Sequence, residues 1–451
     1  MPNSHLRLST VNFLRRNTLI PRVTFINRCY WPDSQATGQL LTELCEFLSP
    51  RWDVTALVGQ PNWVNKEHEF VRSGVQFRNG VAIHRLMHQR LVNGERFARI
   101  RNYISFTLAV RKWGRETRID NLEGHDSRET IVCETDPFLL PLVAGPIARR
   151  RNARLVIYLQ DIYPDVAIAL GIARNNLAMR LLRNKLKRAY LQADCIVVLD
   201  EDMQDRLVDW GIPADRLRIV PNWMDCSQVV PVKTNNLFRK QHDLEHQFVV
   251  MHSGNLGMTQ KLDVLVDAMK QVNSSSEYDQ INRTTLMLVG NGGRRAELEL
   301  QASGTETIQF LCYQPKESLS ESLSAADLHV VSMGQEIMGC LAPSKLYGIL
   351  ASGTPVLAIV PKGNAVWRMV ERERLGWTVE PGDRDGIARA IQAAAKVPRE
   401  NMLAMGQRGR ELAERLYDKK VCCEQFEAIL RREDSFGVVE MPSLVGLGAR
   451  G

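Results

Sequence analysis

The chain has 451 residues, 44% hydrophobic and 24% charged, with a formal net charge of +7. That length exceeds what one hydrophobic core organises, so two domains are expected. The charge is too mild for a dedicated nucleic-acid binder, yet it suits an anionic substrate or lipid surface. Nine cysteines with no CxxC pair indicate neither a disulfide framework nor a zinc site. Residues 1–21 form a polar leader without the continuous apolar core of a secretory signal. The longest apolar run, 138–148, contains Pro141 and Pro146 and is too short to span a bilayer. The expected location is cytoplasmic, with room for a peripheral place on the inner face of the plasma membrane.

Residues 22–27 read as a first strand, followed by a loop to Gly38, a helix through Leu40, Leu41, Leu44 and Leu48, and a strand at 53–58. This is the strand–loop–helix–strand unit of a parallel, doubly wound sheet. Gly38 lies where such sheets take ligands, beyond a strand's carboxyl end, but no GxGxxG marks a nicotinamide site. Residues 83–118 read as basic and helix-prone, and 121–129 as a polar loop. Strands are expected at 130–133 and 154–159. The second leads to Asp161 and Asp165. A carboxylate at such a tip can accept a proton or bind sugar hydroxyls; it reads equally as a helix cap or a loop ion pair.

Between 174 and 193 lies an amphipathic helix with no acid. Ala178, Leu182, Leu186 and Ala189 form its apolar side. Arg180, Arg183 and Lys187 form a basic stripe, which fits either contact with an anionic membrane or a solvated face. Residues 195–199 are a strand, 231–245 a polar connector, and a second βα series then starts afresh. Strands are expected at 248–252, 286–289, 308–311 and 328–331, with glycine loops Ser253-Gly254-Asn255-Leu256-Gly257 and Gly290-Asn291-Gly292-Gly293 at strand tips. Such loops let phosphate approach the backbone closely.

The stretch 342–355 reads as a short helix, a stop and a buried strand at 356–360. Pro343 is pre-set for a first turn, Leu346, Ile349 and Leu350 recur at helical spacing, and Gly353 can end the helix in a left-handed conformation. The helix start and Lys345 together suit an anionic group.

The order of the two glycine loops, Ala325-Ala326-Asp327-Leu328 and the segment Pro343–Pro355 resembles family 4 retaining glycosyltransferases of the GT-B fold. Tyr30-Trp31-Pro32-Asp33, Thr37-Gly38, residues 161–165 and residues 220–225 carry the same resemblance in the first half. The likeness extends to the branch of O-antigen and capsule enzymes that includes N-acetyl-L-fucosamine transferase. It implies an α/β fold of two Rossmann-like doubly wound domains facing across a cleft. The expected bounds are 22–228 for an acceptor-binding domain and 229–416 for a nucleotide-sugar-binding domain. A terminal helix at 417–432 would cross back, and 433–451 would be a loose tail.

The same resemblance implies transfer of a sugar from a nucleotide-diphosphate sugar to a glycan or polyprenyl-diphosphate-linked acceptor, without a metal or other cofactor and without nucleic acid. Gly38, Gly254, Asn255, Lys261, Gly290, Ser344, Lys345 and Leu346 would hold the donor, with Asp161 and Lys345 in catalytic roles. The membrane contact is placed on Arg180, Arg183 and Lys187. Two glutamates usual in the family fall here on Cys340 and Gly348, with Glu336 four residues early. Asn255 replaces an arginine and cannot neutralise phosphate as arginine does. Two other readings stay open: a nucleotide-sugar epimerase on the same fold, and, given the missing glutamates, a catalytically degenerate binding or scaffold subunit.

Overall fold

The computed structural model describes residues 20–33, 35–61, 74–89, 98–116, 129–274 and 283–433. The expected tail, nearly all of the leader and most of the 121–129 loop lie outside them. The chain divides into two compact units, Met1–Cys133 with Val143–Leu155, and Glu134–Leu142 with Val156–Gly451.

The first unit runs β1 (Arg22–Asn27), α1 (Ala36–Leu48), β2 (Asp53–Val58), β3 (Gly74–Arg78), β4 (Val81–Arg85), α2 (Ala98–Glu116), β5 (Thr130–Glu134) and α3 (Pro141–Arg150). Its strands lie in the order β3-β4-β2-β1-β5. β1 pairs in parallel with β2, Arg22 opposite Asp53, and with β5 on its other side. β1 is buried at every position after Arg22 and β5 at all five, which is why their centres, Phe25-Ile26 and Ile131-Val132-Cys133, are apolar on both faces. α2 lies close on α3, since a Cβ at Gly114 would stand 2.4 Å from Ile147 Cγ1.

The expectation of helix-prone structure throughout 83–118 is corrected at its start. Residues 81–85 are β4, antiparallel to β3 with Arg78 opposite Val81. The turn between them is Asn79-Gly80, with φ +46° and +81°. That pair suits the tight hairpin turn whose two central residues are left-handed.

The second unit continues with β6 (Arg154–Tyr158), α4 (Asp165–Ala169), α5 (Leu177–Tyr190), β7 (Cys195–Val198), α6 (Glu201–Asp209) and β8 (Leu217–Ile219). Then follow α7 (Leu237–Gln241), β9 (Phe248–Ser253), α8 (Leu262–Ser274), β10 (Thr284–Val289), α9 (Arg295–Gln301), β11 (Ile308–Leu311), α10 (Leu319–Ser324) and β12 (Leu328–Ser332). The chain closes with α11 (Lys345–Ala351), β13 (Val356–Ile359), α12 (Ala365–Arg372), β14 (Gly376–Val379), α13 (Arg384–Ala395), α14 (Arg399–Leu412) and α15 (Lys419–Arg431). β6, β7 and β8 are parallel neighbours. β9 to β14 form a six-stranded parallel sheet in the order β11-β10-β9-β12-β13-β14.

One face of that sheet buries Val250, Leu286, Leu288, Val330 and Leu357 against Leu265, Met269 and Ile391 of α8 and α13. The other buries Val331, Val356 and Ala358 with Leu346, Ile349 and Leu350 of α11. Helices on both faces explain why the strands are almost wholly apolar. α15 is tied to the 220–226 segment: Met224 N donates to Tyr417 O at 3.0 Å and Lys419 N to Met224 O at 3.1 Å. The Phe426 ring then sits 5.1 Å from that of Tyr158.

Candidate donor site

In the six-stranded sheet, the chain goes from β9 outward through β10 to β11, and then returns to β12 and proceeds the opposite way to β14. The switch point therefore lies between β9 and β12, where doubly wound sheets take their ligands beyond the strand carboxyl ends. The segments leaving these strands are the loop 253–257 and the stretch 333–344.

The floor of this place is main chain. Gly254 has φ +135° and Gly290 φ +141°, a region that L side chains rarely adopt. A Cβ on Gly290 would stand 1.9 Å from Gly254 O, and one on Gly292 2.4 Å from Leu256 O. Gly254 N donates to Val289 O at 2.8 Å, and Leu256 N to Asn291 O at 2.9 Å. The two loops are thus stacked backbone on backbone, and Gly290 and Gly292 are there because the 253–257 loop leaves no room for a side chain.

Over that floor runs Lys345. A Cβ on Gly254 would come within 2.2 Å of Lys345 Cε and 3.0 Å of its Cδ, so the aliphatic stem occupies the space the glycine vacates. Burial pulls the Lys345 ammonium down to a pKa of about 8. Beneath it, His252 is fully buried and held near a pKa of about 3, first by burial and then by the Lys345 charge. The imidazole is therefore neutral and Lys345 is the local cation. α11 ends as the sequence predicts: Gly353 has φ +63° and its N–H donates to Leu350 O at 3.0 Å.

The other expected donor residues are divided. Asn255 is exposed at the loop tip. Ser344 is exposed at the N-cap of α11, and its hydroxyl makes no capping bond. Leu346 is buried in the core below α11, and its N–H donates to Pro343 O at 3.1 Å. It supports the site from beneath. Lys261, in a left-handed conformation with φ +48°, pairs with Glu336 at 2.7 Å. That hydrogen bond is the largest influence holding the Glu336 carboxyl below its ordinary pKa.

Asp161 follows β6 and forms an isolated antiparallel bridge with Leu341, with Ile162 N donating to Cys340 O at 2.8 Å. The backbone carrying Asp161 is thereby stapled four residues upstream of Lys345. Arg206 Nη2 holds the same segment by donating to Met338 O at 2.7 Å. Burial, and next the Asp136 carboxylate, raise the Asp161 pKa to about 6. Asp165 is spoken for: it accepts from Arg183 Nε at 2.8 Å, Arg206 Nη1 at 3.1 Å and Trp210 Nε1 at 3.3 Å. It anchors α5 and α6, the ion-pair alternative left open by the sequence.

Gly38 lies in the first unit, in the first turn of α1, where a Cβ would stand 3.2 Å from Tyr30 N. Among the three basic residues expected at a membrane, Arg180 is exposed. Arg183 is committed to Asp165 and lies over the Trp210 ring, 5.7 Å from its centroid, while Lys187 folds over Gly211, where a Cβ would meet its Nζ at 2.9 Å.

Comparison with known proteins decides what this arrangement belongs to. Residues 36–223 match the family model for a glycosyl transferase 4-like domain, and residues 247–396 that for glycosyl transferases group 1. The chain is a GT4-like glycosyltransferase. It is 24% identical to the probable glycosyltransferase WbjE of Pseudomonas aeruginosa over 311 residues, 67% of this chain and 74% of that one. It is 26% identical over 289 residues to the putative colanic acid biosynthesis glycosyl transferase WcaI of Escherichia coli strain K12, covering 62% and 68% of the two chains. The structure of Anabaena HepE in complex with UDP-glucose superposes with a TM-score of 0.63 at 15% identity, over 91% of this chain and 99% of that one. The fold of the transferase is GT-B.

Two features of this glycosyltransferase were missed by sequence reasoning. Position 348, where the family resemblance implies a glutamate, is packed: a Cβ there would stand 3.1 Å from Met224 Cε and 3.3 Å from Leu323 Cδ1. Position 340 carries a buried thiol whose pKa burial pushes up to about 11. The pairing of Lys261 with Glu336 was also unforeseen, although the sequence placed both residues near the donor.

Proposed function

We propose that this glycosyltransferase moves a sugar, with retention, from a nucleotide-diphosphate sugar to a glycan or polyprenyl-diphosphate-linked acceptor in cell-surface polysaccharide biosynthesis. The observation that carries the proposal is Lys345 lying over Gly254 at the switch point. The glycine floor admits a diphosphate against the main chain, and the ammonium neutralises charge developing on the departing nucleotide without a metal. Lys261, Asn255, Gly290 and Ser344 are assigned to the donor. Asp161, ionised above a pH of about 6, is assigned to the transferred sugar or the acceptor hydroxyl. The names of WcaI and of the UDP-glucose complex support the polysaccharide and nucleotide-sugar readings. No helix among the described residues is long and apolar enough to cross a membrane; a lipid-linked acceptor is reached by peripheral contact with an anionic surface, which we place on the inner face of the plasma membrane.

A thermal-shift panel of nucleoside diphosphates and nucleotide sugars, followed by transfer assays with the stabilising donor, tests this. K345A and G254W lower both the shift and the transfer. If both variants keep wild-type affinity and turnover, the site assignment fails. Met224 filling the space at Gly348 favours one second reading, a binding subunit without turnover, which a nucleotide shift with no transfer or hydrolysis of any donor would identify.

A further inference from the structure

α2 is apolar on two opposite sides. Its inner side buries Asn102, Phe106, Val110 and Gly114, with Phe106 edge-on to His88 at 5.3 Å and Gly114 against Ile147. On the outer side Ile100, Ile104 and Leu108 are 53%, 45% and 54% exposed. Their i, i+4, i+8 spacing places them in one stripe. Arg111, Lys112 and Arg115 are exposed too, and at 100° per residue they share that arc. The helix carries a single acid, Glu116, whose carboxylate lies 3.8 Å from Lys112 at the extreme end.

We infer that this face of α2 docks on an anionic lipid bilayer. Three branched aliphatics interleaved with bases are what an interfacial helix needs: apolar side chains for the acyl boundary and cations for the lipid phosphates. A second copy of the chain is a poor occupant, because it would set three bases against three. The inference deepens the membrane contact proposed above by assigning it to α2. Arg183 and Lys187 of α5, in contrast, are turned to Asp165 and Gly211.

The test is sedimentation of the full chain with phosphatidylglycerol–phosphatidylcholine vesicles and with pure phosphatidylcholine vesicles, at low and high salt. The substituted side chains are solvent-facing, so I100S/I104S/L108S and R111Q/K112Q/R115Q keep the wild-type circular dichroism. The serine variant lowers partition onto anionic vesicles about tenfold or more, and the glutamine variant removes most of the salt dependence. In parallel, I104W gives a blue-shifted emission quenched by brominated lipid. The serine variant sedimenting like wild type overturns the inference. If R180Q/K187Q alone releases the protein, the α2 assignment fails and the membrane reading stands; if the wild type never sediments with anionic vesicles, both fail. A dimer dispersed by the serine variant, with no vesicle binding, names a second copy as the occupant and also overturns it.

Discussion

Lys345 occupies the space that a side chain on Gly254 would fill, its Cε lying 2.2 Å from an ideal Cβ there. Two residues 91 positions apart in sequence thus share one volume, and each constrains the other. G254A must displace the lysine and adopt φ +135°, a conformation costing roughly 1–3 kcal/mol for a residue with a side chain. K345A leaves the glycine loop intact and removes the ammonium together with the stem that lies over Gly254. Isothermal titration with the donor nucleotide should therefore show a loss of about 10–100-fold for K345A, with the urea midpoint little changed. For G254A both the affinity and the midpoint fall.

The two groups proposed for chemistry set a pH window. Asp161 loses its proton above a pH of about 6 and Lys345 keeps its own below about 8. The kcat/KM profile is expected to fall on the acid side as Asp161 protonates and on the alkaline side as Lys345 discharges. Nucleotide affinity, which of these two groups involves Lys345 and not Asp161, is expected to show the alkaline limb without the Asp161 limb. K345R, whose guanidinium stays charged, moves that limb upward. An alkaline limb unchanged in K345R would assign it to another group.

Glu336 pairs with Lys261 at 2.7 Å, and in the proposed donor site that pairing competes with a diphosphate for the ammonium. Both side chains are partly exposed, so the pair contributes at most about 1 kcal/mol to stability. E336Q should leave the melting temperature nearly unchanged while tightening nucleotide binding, because the freed ammonium turns to the phosphates. K261A should weaken binding in both the wild-type and the E336Q background. Calorimetry on the four proteins separates the effects as a double-mutant cycle.

Restoring the family's glutamate at position 348 is expected to damage this chain. The side chain would enter a space bounded by Met224 Cε and Leu323 Cδ1, burying a carboxylate among apolar atoms. G348E should lower the unfolding free energy by about 3 kcal/mol or more without raising donor affinity. G348E/M224A, which makes room, recovers part of the loss in urea unfolding.

The strands were legible because burial on both faces leaves a continuous apolar run, as in β9 and β10. The glycine loops were legible because tight backbone contact permits no other residue. β4 was overlooked although Asn79-Gly80 is a strong hairpin signal; its polar members His84 and Arg85 masked the alternation. Arg183 looked like part of a surface stripe, because its partner Asp165 lies 18 residues earlier and no helical spacing records that contact. The filling of position 348 depends on Met224, more than a hundred residues away, and only the folded packing brings the two together.

The backbone construction of the donor floor has a consequence for divergence. Carbonyls and amides present the same chemistry whatever side chains flank them, so Ser253, Asn255 and Asn291 can drift while the Gly254–Gly290 contact persists. In the proposed donor site, changes in sugar or base preference can therefore accumulate at the loop tips while the main-chain floor stays as it is. A specificity library for this enzyme should randomise the loop tips and hold Gly254, Gly290, Gly292 and Lys345 fixed.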